Sequence, residues 1–405
     1  MRSTPVSAAP RRGRRTALAA AGLVAALTLT ATACGGSEDE ADTKPGGGTS
    51  QAADADGTGG GEGGLAAGLA DRLKGHGIDV DKWKNGEWKN WDKDTWLREA
   101  KDFVNPVIDG LWKPERMKSA KDPAKTMAAS DFSGDQGVTA PEPVPVKAAP
   151  EDLPYHEHAA PVGKVFFDSP EGSMVCSGTV VKDPKNPGRS NLVWTAGHCV
   201  HAGSKGGWYR NIVFVPAYND KGKSAAALEN ARPEEIAPYG AFWADWVTTS
   251  GEWIANGGPT GGEGAPYDYS VLHVKPENGT KSLEETVGNA LPVNFDAPEI
   301  SQISAMGAWG YPAAAPYDGL IMHKCIDRPG RLSISPSTPT MYRIGCTMTG
   351  GSSGGGWFSE GSDGKLALVS NTSIGPATAG WLAGPHLGRG AQEIFTMMSD
   401  KFAGR

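Results

Sequence analysis

From about Tyr155 onward, apolar residues come in short runs broken by Gly, Pro and Asn. The clearest are Val162 to Phe167, Met174 to Val181, Leu192 to Thr195, Ile212 to Val215 and Ser270 to Val274. Met322 to Cys325, Leu366 to Val369 and, less sharply, Ile303 to Trp309 follow. Runs this short, spaced by turn residues, predict an all-β barrel or sandwich. At the end the period changes. Ile394, Met398 and Phe402 recur every four residues, which predicts an amphipathic terminal helix.

Before Tyr155 the pattern differs. Arg11, Arg12, Arg14 and Arg15 precede an apolar run, Ala17 to Ala33, that ends at Cys34. A cationic stretch followed by such a run is an export signal. Ala31-Thr32-Ala33-Cys34 resembles a bacterial lipoprotein signal, which implies loss of residues 1–33 and acylation of Cys34. An ordinary secretory signal cut nearby and an uncleaved anchor are the alternatives, and Arg14-Arg15 leaves a twin-arginine route open. Residues 34–64 are mostly Gly, Ser, Asp, Glu and Thr with almost nothing to bury, and read as a flexible tether that holds the body away from the membrane.

Residues 65–130 carry Trp83, Trp88, Trp91, Trp96 and Trp112 among lysines and acids. Asp94 is placed to cap a helix through Leu97, Phe103 and Val104, with Pro106 kinking or ending it. A small helical packing unit or pro-region is expected there. The alternative is a platform of exposed tryptophans for cell-wall polymer. Residues 131–154 hold Pro141, Pro143, Pro145, Pro150 and Pro154 and read as a stiff, extended linker. That leaves residues 155–405 as the functional domain.

The formal net charge of −7 gives no reason to expect nucleic acid as a partner. Loss of residues 1–33 removes five arginines and no acid, which takes the charge to −12. Cysteine usage agrees with export. Apart from Cys34 there remain Cys176, Cys199, Cys325 and Cys346, an even number suited to an oxidising compartment. Of the three pairings, Cys176–Cys199 with Cys325–Cys346 sets one bridge beside each half of the candidate site described next. The spacings lack the close C-x-x-C pairs typical of zinc. Acidic residues are scattered without a ligand spacing, so no metal or cofactor is expected, and calcium has only analogy behind it.

The chemistry concentrates at Thr349-Gly350-Gly351-Ser352-Ser353-Gly354-Gly355-Gly356. A serine hydroxyl is a poor nucleophile at neutral pH and needs a base beside it and donors for the developing oxyanion. Glycines let the backbone turn sharply and aim N–H groups at that oxyanion. A flexible loop has the same composition, so the run means little without partners. Trp194-Thr195-Ala196-Gly197-His198-Cys199 and Pro266-Tyr267-Asp268-Tyr269-Ser270 supply them, in the chain order His, Asp, Ser. Asp220 and Asp245 also fall between His198 and Ser353. Asp268 is preferred because it stands immediately before a short apolar strand, where a buried carboxylate would enter a cleft.

Cys176-Ser177-Gly178-Thr179-Val180, Thr195-Ala196-Gly197-His198-Cys199, Asp268-Tyr269-Ser270-Val271-Leu272 and Gly351-Ser352-Ser353-Gly354-Gly355 resemble the chymotrypsin-like serine peptidases, nearest the bacterial branch with the glutamyl endopeptidases. The resemblance covers residues 155–405 and nothing earlier. It implies an all-β fold of two six-stranded antiparallel barrels, with His198 and Asp268 from the first and Ser353 from the second. It also implies an oxyanion hole of the Gly351 and Ser353 amides. His198 would be the general base and then the acid, and Asp268 would fix its tautomer.

Three departures follow. Ser352 stands where trypsin-like members carry an Asp that pairs with a freed amino terminus, so activation by that ion pair is not expected. Gly356 replaces the usual proline, which suggests a less rigid local backbone. Thr347 takes the place of the trypsin-like pocket Asp. Met348 stands where glutamyl members use Thr or Ser, and their pocket His has no counterpart among Ser370, Asn371, Thr372, Ser373 and the two residues after them. A preference for neutral or apolar side chains is therefore expected, with Thr347, Met348 and Ser370 to Ser373 as the substrate-binding residues.

The expected activity is that of a monomeric serine endopeptidase acting on protein or peptide outside the cell, held to the membrane through Cys34. A catalytically silent, peptidase-like binding protein at the cell surface is the alternative. An α/β-hydrolase esterase needs Ser before Asp before His, the reverse of the order here.

Overall fold

The computed structural model describes residues 80–91, 105–123, 126–127, 137–361 and 364–404. The export signal, Cys34, the tether, and Trp96 with the helix expected from Asp94 to Val104 lie outside the described residues. The body is mostly β, as its short apolar runs predict. Its first lobe has six strands: β1 (Val162–Ser169), β2 (Gly172–Val181), β3 (Leu192–Thr195), β4 (Arg210–Pro216), β5 (Phe242–Thr249) and β6 (Ser270–Pro276). They close into a barrel in the order β1-β2-β3-β6-β5-β4.

The strands carry apolar residues on both faces because both faces are covered. Along β1, Val165 and Phe167 point into the barrel with Val180, Val193, Phe214 and Leu272. On the other face of the strand, Val162 and Phe166 belong to an outer core with Trp194, Val213 and Trp243. Period-two alternation thus divides one strand between two cores. Fully burying a side chain such as Phe or Val stabilises by roughly 1.5–3 kcal/mol, and many along these strands are fully buried.

The second lobe has β7 (Met306–Gly310), β8 (His323–Asp327), β9 (Gly330–Leu332), β10 (Met341–Gly345), β11 (Gly356–Glu360), β12 (Leu366–Asn371) and β13 (Trp381–Pro385). Its hydrogen-bonded ladders form two sheets rather than one closed cylinder. One runs β12-β11-β7-β8 and ends on the short strand Ala149–Pro150; the other is β9-β10-β13. The terminal helix, Arg389–Lys401, buries Ala391, Ile394, Phe395 and Met398. Phe395 packs on Phe295 with ring centroids 5.2 Å apart, and Phe402, just past the helix, stacks on His273 at 3.5 Å.

The resemblance begins at Tyr155, but the packed body begins earlier. Asn105 donates to the carbonyls of Ile212 and Ala244 and accepts from the Ile212 amide, so its one side chain joins β4 and β5. Trp112 donates to Asn211 O at 2.8 Å. One guanidinium nitrogen of Arg116 reaches both oxygens of the buried Asp168, at 2.6 and 2.8 Å. Arg210 lies over the rings of Trp83 and Trp91 at 4.8 and 4.2 Å. Trp83, Trp88 and Trp112 are buried, so these three are packing residues and not an exposed platform.

Candidate active site

Two adjacent residues of β2 gather the site. Cys176 is bridged to Cys199, the neighbour of His198. Ser177 takes hold of the serine loop: its amide donates to Ser353 O at 2.7 Å and its hydroxyl to Gly351 O at 2.9 Å. The same hydroxyl accepts from the Tyr311 amide at 2.9 Å. The imidazole turn and the serine loop, more than 150 residues apart in the chain, are thereby fixed to one strand. The Cys176 and Cys199 sulfurs lie close to a His198 ring nitrogen. They are spent in the disulfide and offer no thiolate to a metal. The second bridge joins Cys325 to Cys346, so the expected pairing is the one the structure has.

His198 sits in the single 3-10 turn Gly197–Cys199 directly after β3, and its side chain is fully buried. Asp268 follows the 3-10 segment Gly262–Tyr267 and precedes β6. Its flanks are pinned by Ser250, which donates to Tyr267 O, and Thr249, which donates to Tyr269 O. The Asn371 amide donates to Asp268 O at 3.0 Å. The carboxylate is 0% exposed, so it must be hydrogen-bonded throughout to be tolerated. Oδ1 accepts the His198 amide at 2.7 Å, and Oδ2 lies 2.6 Å from His198 Nδ1. The Ser373 hydroxyl donates to Oδ2 at 2.6 Å. A carboxylate on Nδ1 keeps the proton there and leaves Nε2 as the basic nitrogen. His198 Nε2 is buried without a hydrogen-bond partner among the described residues.

Ser353 lines a cavity of about 220 Å³ with Met348, Thr372, Ile374, Trp381 and Leu382. Gly351 holds φ +94°, a left-handed conformation that side-chain-bearing residues rarely adopt. Ser352 donates its hydroxyl to Thr349 O at 2.7 Å. Among the described residues, the Gly351 and Ser353 amides make no hydrogen bond and are available to an oxyanion. Ser353 makes no hydrogen bond to His198 Nε2, and the site combines a polarised imidazole, an alcohol in a cavity of mixed polar and apolar walls and two spare amides beside that alcohol. It can accept a proton, form an ester and hold a negative oxygen.

The expected substrate-binding residues divide. Met348, Thr372 and Ser373 line the cavity. Thr347 does not: its hydroxyl accepts the Ala148 amide and bonds the Tyr317 hydroxyl, so it serves the incoming linker. Ser370 donates to Pro385 O, and Asn371 accepts from Trp194, which places both in the walls behind the cavity. Ser373 carries a second duty, on Asp268, that local sequence gives no sign of. Of the further apolar walls, Ile374 directly follows the Ser370 to Ser373 run, and Trp381 and Leu382 lie outside every motif.

No protein-family model and no curated protein sequence matches this chain. Among solved structures it is similar to a thermostable serine protease, AL20, from an extremophilic microorganism, at 32% identity over 60% of this chain and 98% of that one, with a TM-score of 0.47. It is also similar to the protease Anisep from Arthrobacter nicotinovorans, at 28% identity over 62% and 99%, TM-score 0.48. A Glu endopeptidase in complex with MPD aligns at 13% identity over 64% and 99%, TM-score 0.43.

Proposed function

We propose that this chain is a serine endopeptidase that cleaves peptide bonds through Ser353, His198 and Asp268. The observation that carries the reading is the buried Asp268–His198 pair, 2.6 Å between Oδ2 and Nδ1, with Nε2 left unpaired among the described residues. Ser353 attacks the scissile carbonyl and passes its proton to Nε2. The Gly351 and Ser353 amides hold the oxyanion. Protonated His198 then gives the proton to the leaving amine, and water repeats the sequence on the acyl-enzyme. Met348, Ile374, Trp381 and Leu382 favour a neutral or apolar side chain before the cleaved bond. The lipoprotein-like segment ending at Cys34 supports export and attachment to the outer face of the membrane.

The test is cleavage of a peptide library by wild type and Ser353→Ala. The account expects cuts after apolar residues that vanish in the variant. A profile dominated by Glu, Lys or Arg rejects the side-chain preference, and cleavage that survives in Ser353→Ala rejects the nucleophile. Palmitate incorporation lost in Cys34→Ser tests the anchor.

A further inference from the structure

The amino-terminal segment does more than pack on the first barrel. At Lys121 it is bonded to β2: the Lys121 amide donates to Ser173 O at 2.9 Å, and Lys121 O accepts the Val175 amide at 2.8 Å. A few residues later it is bonded to the other lobe, where Thr126 and Met127 pair in parallel with Gly375 and Pro376. Asp122 and Thr126 line the same cavity as Ser353 and Met348. Met127 is buried among Ile374 and Trp381, two residues of the cavity wall. Extended backbone tied by main-chain hydrogen bonds, with side chains in adjoining pockets, is how a peptide is held by strand addition.

Gly350 provides an independent sign that the contact is built in. Its φ lies outside the left-handed region, so backbone conformation does not demand glycine. Space does: a methyl group there would lie 1.9 Å from Asp122 Oδ2 and 3.0 Å from Asp122 Cβ. The loop that carries Ser353 lacks a side chain where the carboxylate of the amino-terminal segment rests.

We propose that Lys121 and Asp122, together with Thr126 and Met127, are internal occupants of the peptide-binding groove, a strap that substrate must displace, and that the chain with these residues seated is a latent form of the peptidase. The proposal rests on the reading of Ser353 as the nucleophile. The strap needs little intrinsic affinity, because a covalently attached segment competes at an effective concentration in the millimolar range. It therefore acts mainly on KM for extended substrates and spares small reagents that need no groove.

The experiment uses the full chain with Asp122→Ala, Met127→Asp and both together. Two rates are read: labelling of Ser353 by a small alkyl fluorophosphonate, and hydrolysis of an octapeptide. The strap predicts that kcat/KM for the octapeptide rises about tenfold, chiefly through KM, while small-reagent labelling stays within about twofold. Labelling with no rise in octapeptide hydrolysis overturns the strap and leaves the nucleophile standing. Absence of labelling in every form, wild type included, ends both readings. Hydrogen exchange on the unaltered chain guards against misfolded variants. Bound peptidyl phosphonate must strip protection from Lys121, Thr126 and Met127, and unchanged protection overturns the proposal.

Discussion

Ser373 donates to Asp268 Oδ2 at 2.6 Å, the same oxygen that lies 2.6 Å from His198 Nδ1. One carboxylate oxygen thus serves a residue from each lobe. The hydroxyl limits how far the carboxylate can rotate away from the imidazole and helps to solvate its buried charge. Ser373→Ala removes a hydrogen bond to a charged group, a change of about 1.5–3 kcal/mol. We expect kcat to fall roughly 10- to 100-fold with KM little changed, and Ser373→Thr to recover most of it. Steady-state kinetics on one peptide substrate decides. A change confined to KM would instead make Ser373 a pocket residue only.

Arg116 and Asp168 anchor the amino-terminal segment on the first barrel. Asp168 is 1% exposed and also accepts from Asn211 and Ser173. Arg116 in turn lies over Trp112 and Trp88 at 4.3 and 5.0 Å. Arg116→Ala leaves a buried carboxylate without its cation, a loss of about 3–5 kcal/mol for fully buried pairs and less here because Arg116 keeps partial exposure. Urea denaturation should show a lower midpoint, and Arg116→Lys should not restore it, since an ammonium reproduces neither the ring stacking nor the contact with Ser173.

His201 makes stability sensitive to acid. Burial lowers its pKa to about 4 from an ordinary 6.5. Its Nδ1 accepts the Gly203 amide, and its ring meets Trp208 edge-on. Between those two values the unfolded chain binds a proton that the folded chain refuses. The contribution is therefore complete above pH 6.5 and is lost as pH falls toward 4, amounting to roughly 3 kcal/mol over the window. His201→Asn keeps an acceptor near Nδ1 and removes the titration. Its stability should vary less with pH between 6.5 and 4 than that of wild type. Parallel pH profiles would contradict the assignment.

Strands made of unbroken apolar runs were legible because burial on both faces leaves no polar position to obscure them, as in Ile212 to Val215. Phe242–Thr249 was hidden by Asp245, whose partner His273 lies on the neighbouring strand and is invisible locally. Arg343 likewise masked Met341–Gly345, and glycine at the start of Gly356–Glu360 looked like loop. A side chain at Gly356 would run into Phe358 and Thr179, which is why glycine stands inside this strand. His198, Asp268 and Ser353 could be named from their flanking motifs. Ser373, and the return of Asp122 and Thr126 to the cavity, depend on contacts across more than a hundred residues that no local pattern encodes.

The most direct measurement is intact-protein mass spectrometry after treatment with an organophosphonate, with the modified peptide located by fragmentation. The account predicts a single adduct on Ser353, abolished in Ser353→Ala and strongly slowed in His198→Ala. Adduct on another serine, or none on wild type under conditions that label a known serine peptidase, would contradict it.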